Sequence, residues 1–476
     1  MKLKGYGLLV AGICLGLYAT GFKIRPSAPK PPNFFVIDTV AKNVIVPWEI
    51  LFLPDQTMLF TERAGRVRIY RHNRLIEKPA LTVSDVETTK KMGLLGLCIH
   101  PDFQKNRLIY LAYNYLSGTT PLLRVVRYRF ENDVFVSPKT IIEGILANMN
   151  HTGCRLKFGP DRKLYVTTGD ADHAMQAQDL KSLTGKILRL NDDGSIPADN
   201  PFMSNDTARK EIWSYGHRNP QGLAFQPGTG TLFESEHGPT GGDEVNRIEK
   251  GKNYGWPRVH HRDVLAGTEP PLLEYTPSVG PAEAVFYTGT AFPNLKGNLL
   301  VATMRGESIL RIQVEGDRLV AQERLFRNQF GRIRALAVGP DGAIYLSTSQ
   351  NDPPEGKPRP GDDLILRIRP ATHGNELQAF SATIKNEPTT TDGFVATTTP
   401  EGQYQQLCAS CHGAALEGTD RAKSLRTLKN GSTRNDLIRI IQRGLTDKGM
   451  PAWEGALSPT DIEKMADFIL SKTGKK

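Results

Sequence analysis

Nowhere in this chain does a strand run into a G-x-G-x-x-G turn that opens a helix, which counts against a nicotinamide-binding domain. Apolar residues at helical spacing are nearly missing between residues 33 and 370, which argues against an α/β frame. Polybasic runs are missing as well, although 60 Lys and Arg face 50 Asp and Glu. Without a nucleic-acid motif, the net charge of +10 points to a polyanionic small molecule, an acidic protein partner or a merely solvated basic surface. Cysteine is scarce, at 5 in 476 residues, and the C-terminal pair has too few Cys or His neighbours for a zinc site.

What is present begins with an uncharged run from Gly5 to Phe22, flanked by Lys2, Lys4, Lys23 and Arg25. Its 18 residues fall between the core of a signal peptide and a membrane span, so residues 1–25 read as an export signal or an uncleaved membrane anchor. Both readings place the remainder outside the cytoplasm, in a periplasmic setting. Residues 26–34, with SAPKPPN, form a short spacer.

From 35 to 370 one pattern recurs: an x-Pro-[Asp/Gly/Asn] turn followed by an apolar strand, at Pro54, Pro101, Pro160, Pro227, Pro293 and Pro340. The turns lie 47 to 67 residues apart, and each unit has room for four strands. Blades of roughly 40–50 residues arranged around an axis make a β-propeller, and the count is six. A stacked solenoid would need shorter, more regular periods. The expectation is a mainly β, six-bladed propeller whose chemistry gathers in loops at one mouth of the channel.

The stretch NHTGCRLKFGPDRKLYVTTGD, 150–170, sets His151 nineteen residues before Asp170 with one hairpin between them. The hairpin returns the carboxylate to the sheet end that bears the imidazole, where it could orient a general base. An exposed histidine beside an ordinary strand-end aspartate is the plain alternative. Cys154, three residues beyond His151, and Cys98 read better as buried thiols than as a Cys–His nucleophile. Further blade-edge stretches are rich in polar groups: SYGHRNPQG with His217, Arg218 and Asn219, SEHGPTGGDEVN with Asp243 and Glu244, MRGESI with Arg305, and GRIRAL with Arg332 and Arg334. Arg332 and Arg334, spaced i, i+2, project to one strand face, and converging guanidiniums are costly unless an anion neutralises them.

Residues 371–400, with NEPTTTDGFVATTTP, lose strand runs and read as a linker. Residues 401–476 then carry Cys408-Ala-Ser-Cys411-His412, the attachment signature of a c-type haem, with His412 placed on the iron. A small all-α domain of class I cytochrome c type is expected. Its last helix starts at a Ser458 cap with Pro459 and Asp461 in the first turn. Two methionines follow the motif. Met465 lies on the apolar stripe of that helix, so Met450, in a loop, is the candidate sixth iron ligand.

With these residues in view, 35–370 resembles the soluble pyrroloquinoline-quinone (PQQ)-dependent aldose sugar dehydrogenases, the glucose/sorbosone dehydrogenases. The likeness rests on GLLGLCIHPDF, HTGCRLKFGPDRKLYVTTGD, LTGKILRLNDDGSIPADNPF, YGHRNPQGLAF and SEHGPTGGDEVNRIEKGKNYGWP. It implies a six-bladed propeller that oxidises the C1 hydroxyl of an aldose to a lactone, or a sorbosone-type aldehyde by the same route. His151 would be the base, oriented by Asp170. Arg218 and Asn219 would contact the quinone, and Lys91, Arg305, Arg332 and Arg334 would complete the PQQ site. Gly238 and Pro239 would offer carbonyls to a calcium ion that polarises the quinone. Glu244 and Tyr254 would match a second calcium. Lys91 and Arg305 stand where the family usually has glutamine and lysine, His237 and Cys154 where glutamine and glycine are often found. Asn150 replaces a substrate-contacting aspartate of some members, which bears on glucose specificity. Electrons would pass to the haem and then to a soluble or membrane acceptor, a cytochrome or terminal oxidase. A PQQ-free binding propeller beside an electron-transfer cytochrome, and a metal-dependent lactonase, are the alternatives of other kinds.

Overall fold

The computed structural model describes residues 34–371 apart from 240, 262–264, 317 and 353–360, and then 375–376, 380–383, 399–413, 415–418, 422–426, 433–445, 450, 453 and 457–472. The reading of residues 1–25 as a signal or anchor lies outside these. Among the described residues no helix is long and apolar enough to cross a membrane.

Six antiparallel sheets follow one another along the chain. Their innermost strands are Pro47–Phe52, Leu94–Ile99, Gly153–Phe158, Pro220–Phe225, Pro281–Phe286 and Ile333–Val338. Each packs on the next, and the last packs back on the first, so the ring is closed. All six repeated prolines lie in the connections between the first and second strands of their blades. The first described strand, Phe34–Ala41, pairs with Ile365–Pro370 and so supplies the outer strand of the sixth blade. One blade built from both ends of the ring removes a sheet edge and ties the circle shut.

Blade strands of five apolar or β-branched residues, such as Leu164–Thr168 and Leu299–Thr303, are buried on both faces because each sheet is covered by its neighbours. The axis itself is polar. Arg155, fully buried, meets the carboxyl groups of Glu49 and Glu283 of the first and fifth blades, donates from Nε to the Gln221 carbonyl at 2.9 Å, and lies 4.1 Å over the Trp48 ring. Burial, joined by the Glu283 charge and opposed by Arg155, pushes the Glu49 carboxyl up to about 8. At the far end of the axis from His151 lies a cavity of about 630 Å³, lined by Glu49, Lys157, Pro160 and Pro227.

Within residues 371–400, expected as a linker, two short described segments pair with the propeller. Asn375–Glu376 pairs beside Phe34–Phe35, and Phe380–Thr383 adds a strand to the edge of the fifth blade along Ala321–Arg324. Open sheet edges offer unpaired N–H and C=O groups, and backbone pairing needs no special side-chain pattern, so composition did not reveal it.

The C-terminal module is helical: Pro400–Leu407, Ala409–His412, Arg434–Arg443 and Pro459–Lys472. Thr433 and Asp436 close a reciprocal cap on the third helix. Ser458 Oγ accepts from the Asp461 N–H at 3.2 Å on the fourth, as the sequence indicates. Tyr404, Leu437, Ile441, Trp453, Ile462 and Met465 form the core.

Candidate active site at the propeller mouth

The third-blade hairpin brings Asp170 to His151. Nδ1 of His151 lies 2.9 Å from Asp170 Oδ1 and 3.1 Å from an Asp172 carboxylate oxygen. His151 adopts a left-handed φ of 48°, uncommon for a non-glycine residue. Gly169 is required behind it, because a Cβ there would fall 1.9 Å from the His151 carbonyl oxygen. Asp170 is held on two further sides: its Oδ2 accepts from Trp256 Nε1 at 2.8 Å, and its own N–H donates to the Arg218 carbonyl at 2.8 Å.

Burial and the Arg218 guanidinium hold the His151 imidazole below its usual value, against the opposing pull of Asp170. Burial alone would raise Asp170, but His151, Arg218 and Trp256 together outweigh it, and the carboxyl stays below the usual range. With Nδ1–H donated to a carboxylate, the neutral imidazole keeps its Nε2 lone pair for a proton.

The His237 imidazole sits well below the usual value because of burial first and then the charges of Lys91, Arg334, Arg218 and Arg305. Lys91 precedes the second blade, Arg218 joins the third to the fourth, Arg305 turns within the fifth and Arg334 lies on the innermost strand of the sixth. Arg218 Nη1 donates to the carbonyls of His237 at 3.2 Å and Gly238 at 2.6 Å. Arg334 donates to Gln221 Oε1 at 2.9 Å and pairs with the Asp352 carboxylate. Arg332 donates from Nε to the Ser349 carbonyl at 3.2 Å, and its Nη2 lies 3.5 Å from the Asp352 carbonyl. Both arginines thus reach one residue, but part of the neutralising anion is the chain's own Asp352. Asn219 is buried, and its Oδ1 accepts from the Gly153 N–H at 3.1 Å, pinning the strand after His151.

The turn after the fourth blade's second strand is tight. A Cβ on Gly238 would lie 2.1 Å from the Gly241 carbonyl oxygen. Asp243 ties the turn together, accepting from the N–H groups of Gly238 at 2.9 Å and Gly280 at 2.7 Å and from Ser278 Oγ at 2.7 Å. Beside it, Asn246 Nδ2 stands 3.0–3.4 Å from carboxylate oxygens of Glu234, Glu236 and Glu244. An amide carries two hydrogens for these three acceptors, and burial with the Glu236 charge raises Glu234 and Glu244 well above the usual carboxylate range. Glu244 and Tyr254 line one small cavity with His260 and His261. The Tyr254 hydroxyl is committed to backbone, donating to the Arg247 carbonyl at 2.6 Å and accepting from the Glu249 N–H at 2.9 Å.

In the helical module, His412 Nδ1 lies 3.2 Å from the Lys423 carbonyl. An Nδ1–H donated there fixes the tautomer that leaves Nε2 for a metal. Cys408 and Met450 pack on the same apolar cluster, whereas Met465 is fully buried inside it. The side chain of Cys411 lies outside the described residues.

Residues 44–355 match the Glucose / Sorbosone dehydrogenase family. The chain belongs to that family. Residues 395–469 match a second one, described as Cytochrome C oxidase, cbb3-type, subunit III. The chain is 35% identical over 344 residues to the aldose sugar dehydrogenase of Escherichia coli, covering 68% of this chain and 92% of that one. Among solved structures it is similar to a glucose dehydrogenase of Thermus thermophilus, at 41% identity and TM-score 0.65, covering 70% of this chain and 99% of the other. It also matches the PQQ-bound aldose sugar dehydrogenase of Streptomyces coelicolor, at 30% identity and TM-score 0.62, covering 71% and 99%. This glucose/sorbosone dehydrogenase is therefore an oxidoreductase propeller of the PQQ type joined to a cytochrome c domain.

Several residues at the dehydrogenase mouth escaped the sequence reading. Asp172 adds a second carboxylate at His151 and accepts from Asn150 Nδ2 at 3.2 Å. Trp256 anchors Asp170 and lies 5.2 Å beneath the Arg218 guanidinium. Asp352 and Glu236 hold the arginine-bearing segments, the latter accepting from the Arg218 N–H at 2.6 Å. Trp256 lies in the quoted run KNYGWP, so that signal was available. Asp352 follows the last repeated turn with nothing local to mark it. Cys98 and Cys154 are free and buried, and burial raises both thiols, Cys154 to about 12. A nucleophilic role does not fit thiols held in that state.

Proposed function

We propose that this chain is an exported quinohaemoprotein that oxidises an aldose at C1 to the lactone and passes the electrons to a covalently bound haem c. The observation that carries the reading is the hydrogen-bonded mouth itself: Arg334 donates to Gln221, Gln221 to Asn219, and Asn219 holds the strand after His151, while Arg218 reaches the Gly238 carbonyl and covers Trp256, the partner of Asp170. PQQ, a tricarboxylate, fits such a place. The buried Nε–H groups of Arg218 and Arg334 have no acceptor among the described residues, a condition that an added anion relieves. The Gly238 carbonyl already faces a cation, the Arg218 guanidinium, so it suits calcium as well.

When bound, PQQ supplies a two-electron hydride acceptor and calcium a Lewis acid beside it. The protein's own groups do the rest. His151 Nε2 takes the C1 hydroxyl proton, and Asp170 and Asp172 stabilise the imidazolium that results. Arg218 stabilises developing negative charge at the mouth. Lys91, Asn219, Arg305, Arg332 and Arg334 hold the cofactor, with Gly238 and Pro239 as carbonyl ligands to calcium. Glu244, with the main chain of Tyr254, holds a second calcium. Cys408 and Cys411 bind the haem, and His412 and Met450 ligate its iron. A soluble or membrane carrier, a cytochrome or terminal oxidase, takes electrons from the haem outside the cytoplasm, and residues 1–25 direct or anchor the chain there.

A panel of aldoses and sugar aldehydes added to protein reconstituted with PQQ and calcium tests the reading, with haem reduction as the signal. Reduction by at least one aldose supports it. Reduction by sugar aldehydes alone moves the substrate to the sorbosone class, and lactone hydrolysis without haem reduction refutes it.

A further inference from the structure

Four aromatic rings lie in series between the site just described and the helical module. Trp256, hydrogen-bonded through Nε1 to Asp170 at 2.8 Å and covered by Arg218, is the first. Its ring centroid is 6.4 Å from that of His260, and His260 is 5.0 Å from His261. His261 lies 5.8 Å from Trp453, with their planes tilted by 32°. Trp453 belongs to the core on which Cys408 and Met450 pack, and its N–H donates to the Ile441 and Gln442 carbonyls at 3.0 and 3.1 Å.

The propeller side of this contact is held firmly. His261 is 1% exposed, with Nδ1 at 3.1 Å from Thr276 Oγ1 and 3.3 Å from Glu274 Oε1. Thr276 Oγ1 in turn accepts from the Gly242 N–H at 2.8 Å. Gly242 has a φ of 68°, and a Cβ there would lie 2.7 Å from the His261 ring. The histidine is therefore packed against the same glycine-rich turn that carries Gly238. Core packing accounts for Trp453 within its own module. It does not account for an indole meeting a buried imidazole of the other domain.

We propose that Trp256, His260, His261 and Trp453 form an aromatic bridge that seats the cytochrome domain on the fourth blade and conducts electrons from the propeller mouth to the haem. Electron tunnelling weakens steeply with each unfilled gap, and π systems in near contact shorten the gaps between donor and acceptor. The inference rests on the quinohaemoprotein reading. In that reaction the substrate C1–H bond breaks as hydride and the hydroxyl proton goes to His151. The two electrons leave across the bridge singly, each reducing ferric haem to ferrous, and the hydride's proton is released to water. A one-electron carrier outside the protein reoxidises the iron between the two steps. Trp256 also anchors Asp170, so the bridge begins at the ring that holds the carboxylate beside the base.

The test uses the full chain with haem, PQQ and calcium, and the variants His261→Leu, Trp453→Leu and Trp453→Phe. Sugar oxidation read by an artificial dye at the propeller mouth should be unchanged in the two Trp453 variants, and haem reduction in His261→Leu is read as a ratio to that variant's own dye rate. Haem reduction by aldose, followed in stopped flow, should slow at least tenfold in His261→Leu and Trp453→Leu and hold near wild type in Trp453→Phe. The haem spectrum after chemical reduction should be the same throughout, which separates a broken bridge from a damaged cytochrome. Unchanged haem reduction in both leucine variants overturns the proposal. Docking is read separately in chain without PQQ: amide exchange over 253–261 should quicken in Trp453→Leu, and no change there also overturns it. If the wild type oxidises no sugar with the dye, the functional reading has failed, and the exchange experiment still decides whether the bridge contact exists.

Discussion

Arg334 and Asp352 form a buried ion pair at the propeller mouth, and Arg332 approaches the backbone of the same aspartate. A guanidinium taken out of water needs a partner, and here the chain carries one before any ligand arrives. Asp352→Asn should cost about 3–5 kcal/mol, the penalty for leaving a buried charge unpaired. Saturating PQQ should restore more stability in this variant than in wild type, because a ligand carboxylate takes over the role. Thermal unfolding with and without PQQ measures both effects, and equal stabilisation in the two proteins would refute the second.

The carboxylates beside His151 raise its pKa, against burial and Arg218, which lower it. Removing one therefore moves the imidazole further down. In Asp170→Asn the acid limb of kcat/KM should shift to lower pH while kcat falls by about 10²–10⁴, since the tautomer is no longer fixed. His151→Ala should lose at least as much activity and still bind PQQ. A pH–rate profile of each variant checks the sign.

Glu49 titrates near 8 in the folded chain because it is buried, with the Glu283 charge adding to the rise. Its folded pKa lies above its unfolded one, so the native state holds the extra proton between about 4.5 and 8 and stability falls as pH rises through that window. Glu49→Gln carries a neutral amide at all pH and should flatten this dependence. The expected difference is on the order of a few kcal/mol at most. Urea midpoints at the two ends of the window give the answer.

Two methionines are distinguished by what their loss does. Met465→Ala, in a fully buried position, should destabilise the cytochrome domain by about 2–5 kcal/mol and leave the haem spectrum alone. Met450→Ala should change the spectrum and lower the haem potential, since thioether ligation raises it. The opposite pattern would make Met465 the ligand.

The ring was legible because its signal is local and repeated. Each of Pro54, Pro101, Pro160, Pro227, Pro293 and Pro340 sits in a first-to-second-strand turn, so six short motifs give six blades. His151 and Asp170 were legible for the same reason, since one hairpin joins them. The roles of Trp256, Asp352 and Asp172 were not. The run holding Trp256 was visible, but its partner Asp170 lies 86 positions away on another blade. Asp352 and Asp172 are local to Arg334 and His151, yet a loop carboxylate carries no pattern that sets it apart from a solvated one. The strands at 375–376 and 380–383 were hidden differently, because edge pairing is made by backbone and leaves no side-chain pattern.

Equilibrium binding of PQQ, with calcium present, to wild type and to folded Arg218→Met, Arg332→Met and Arg334→Met proteins tests the account most directly. Saturable one-to-one binding is expected, weakened roughly 10–150-fold by each substitution, as loss of a charge-assisted hydrogen bond of about 1.5–3 kcal/mol requires. Absence of saturable binding, or affinities untouched by removing these guanidiniums, would contradict it.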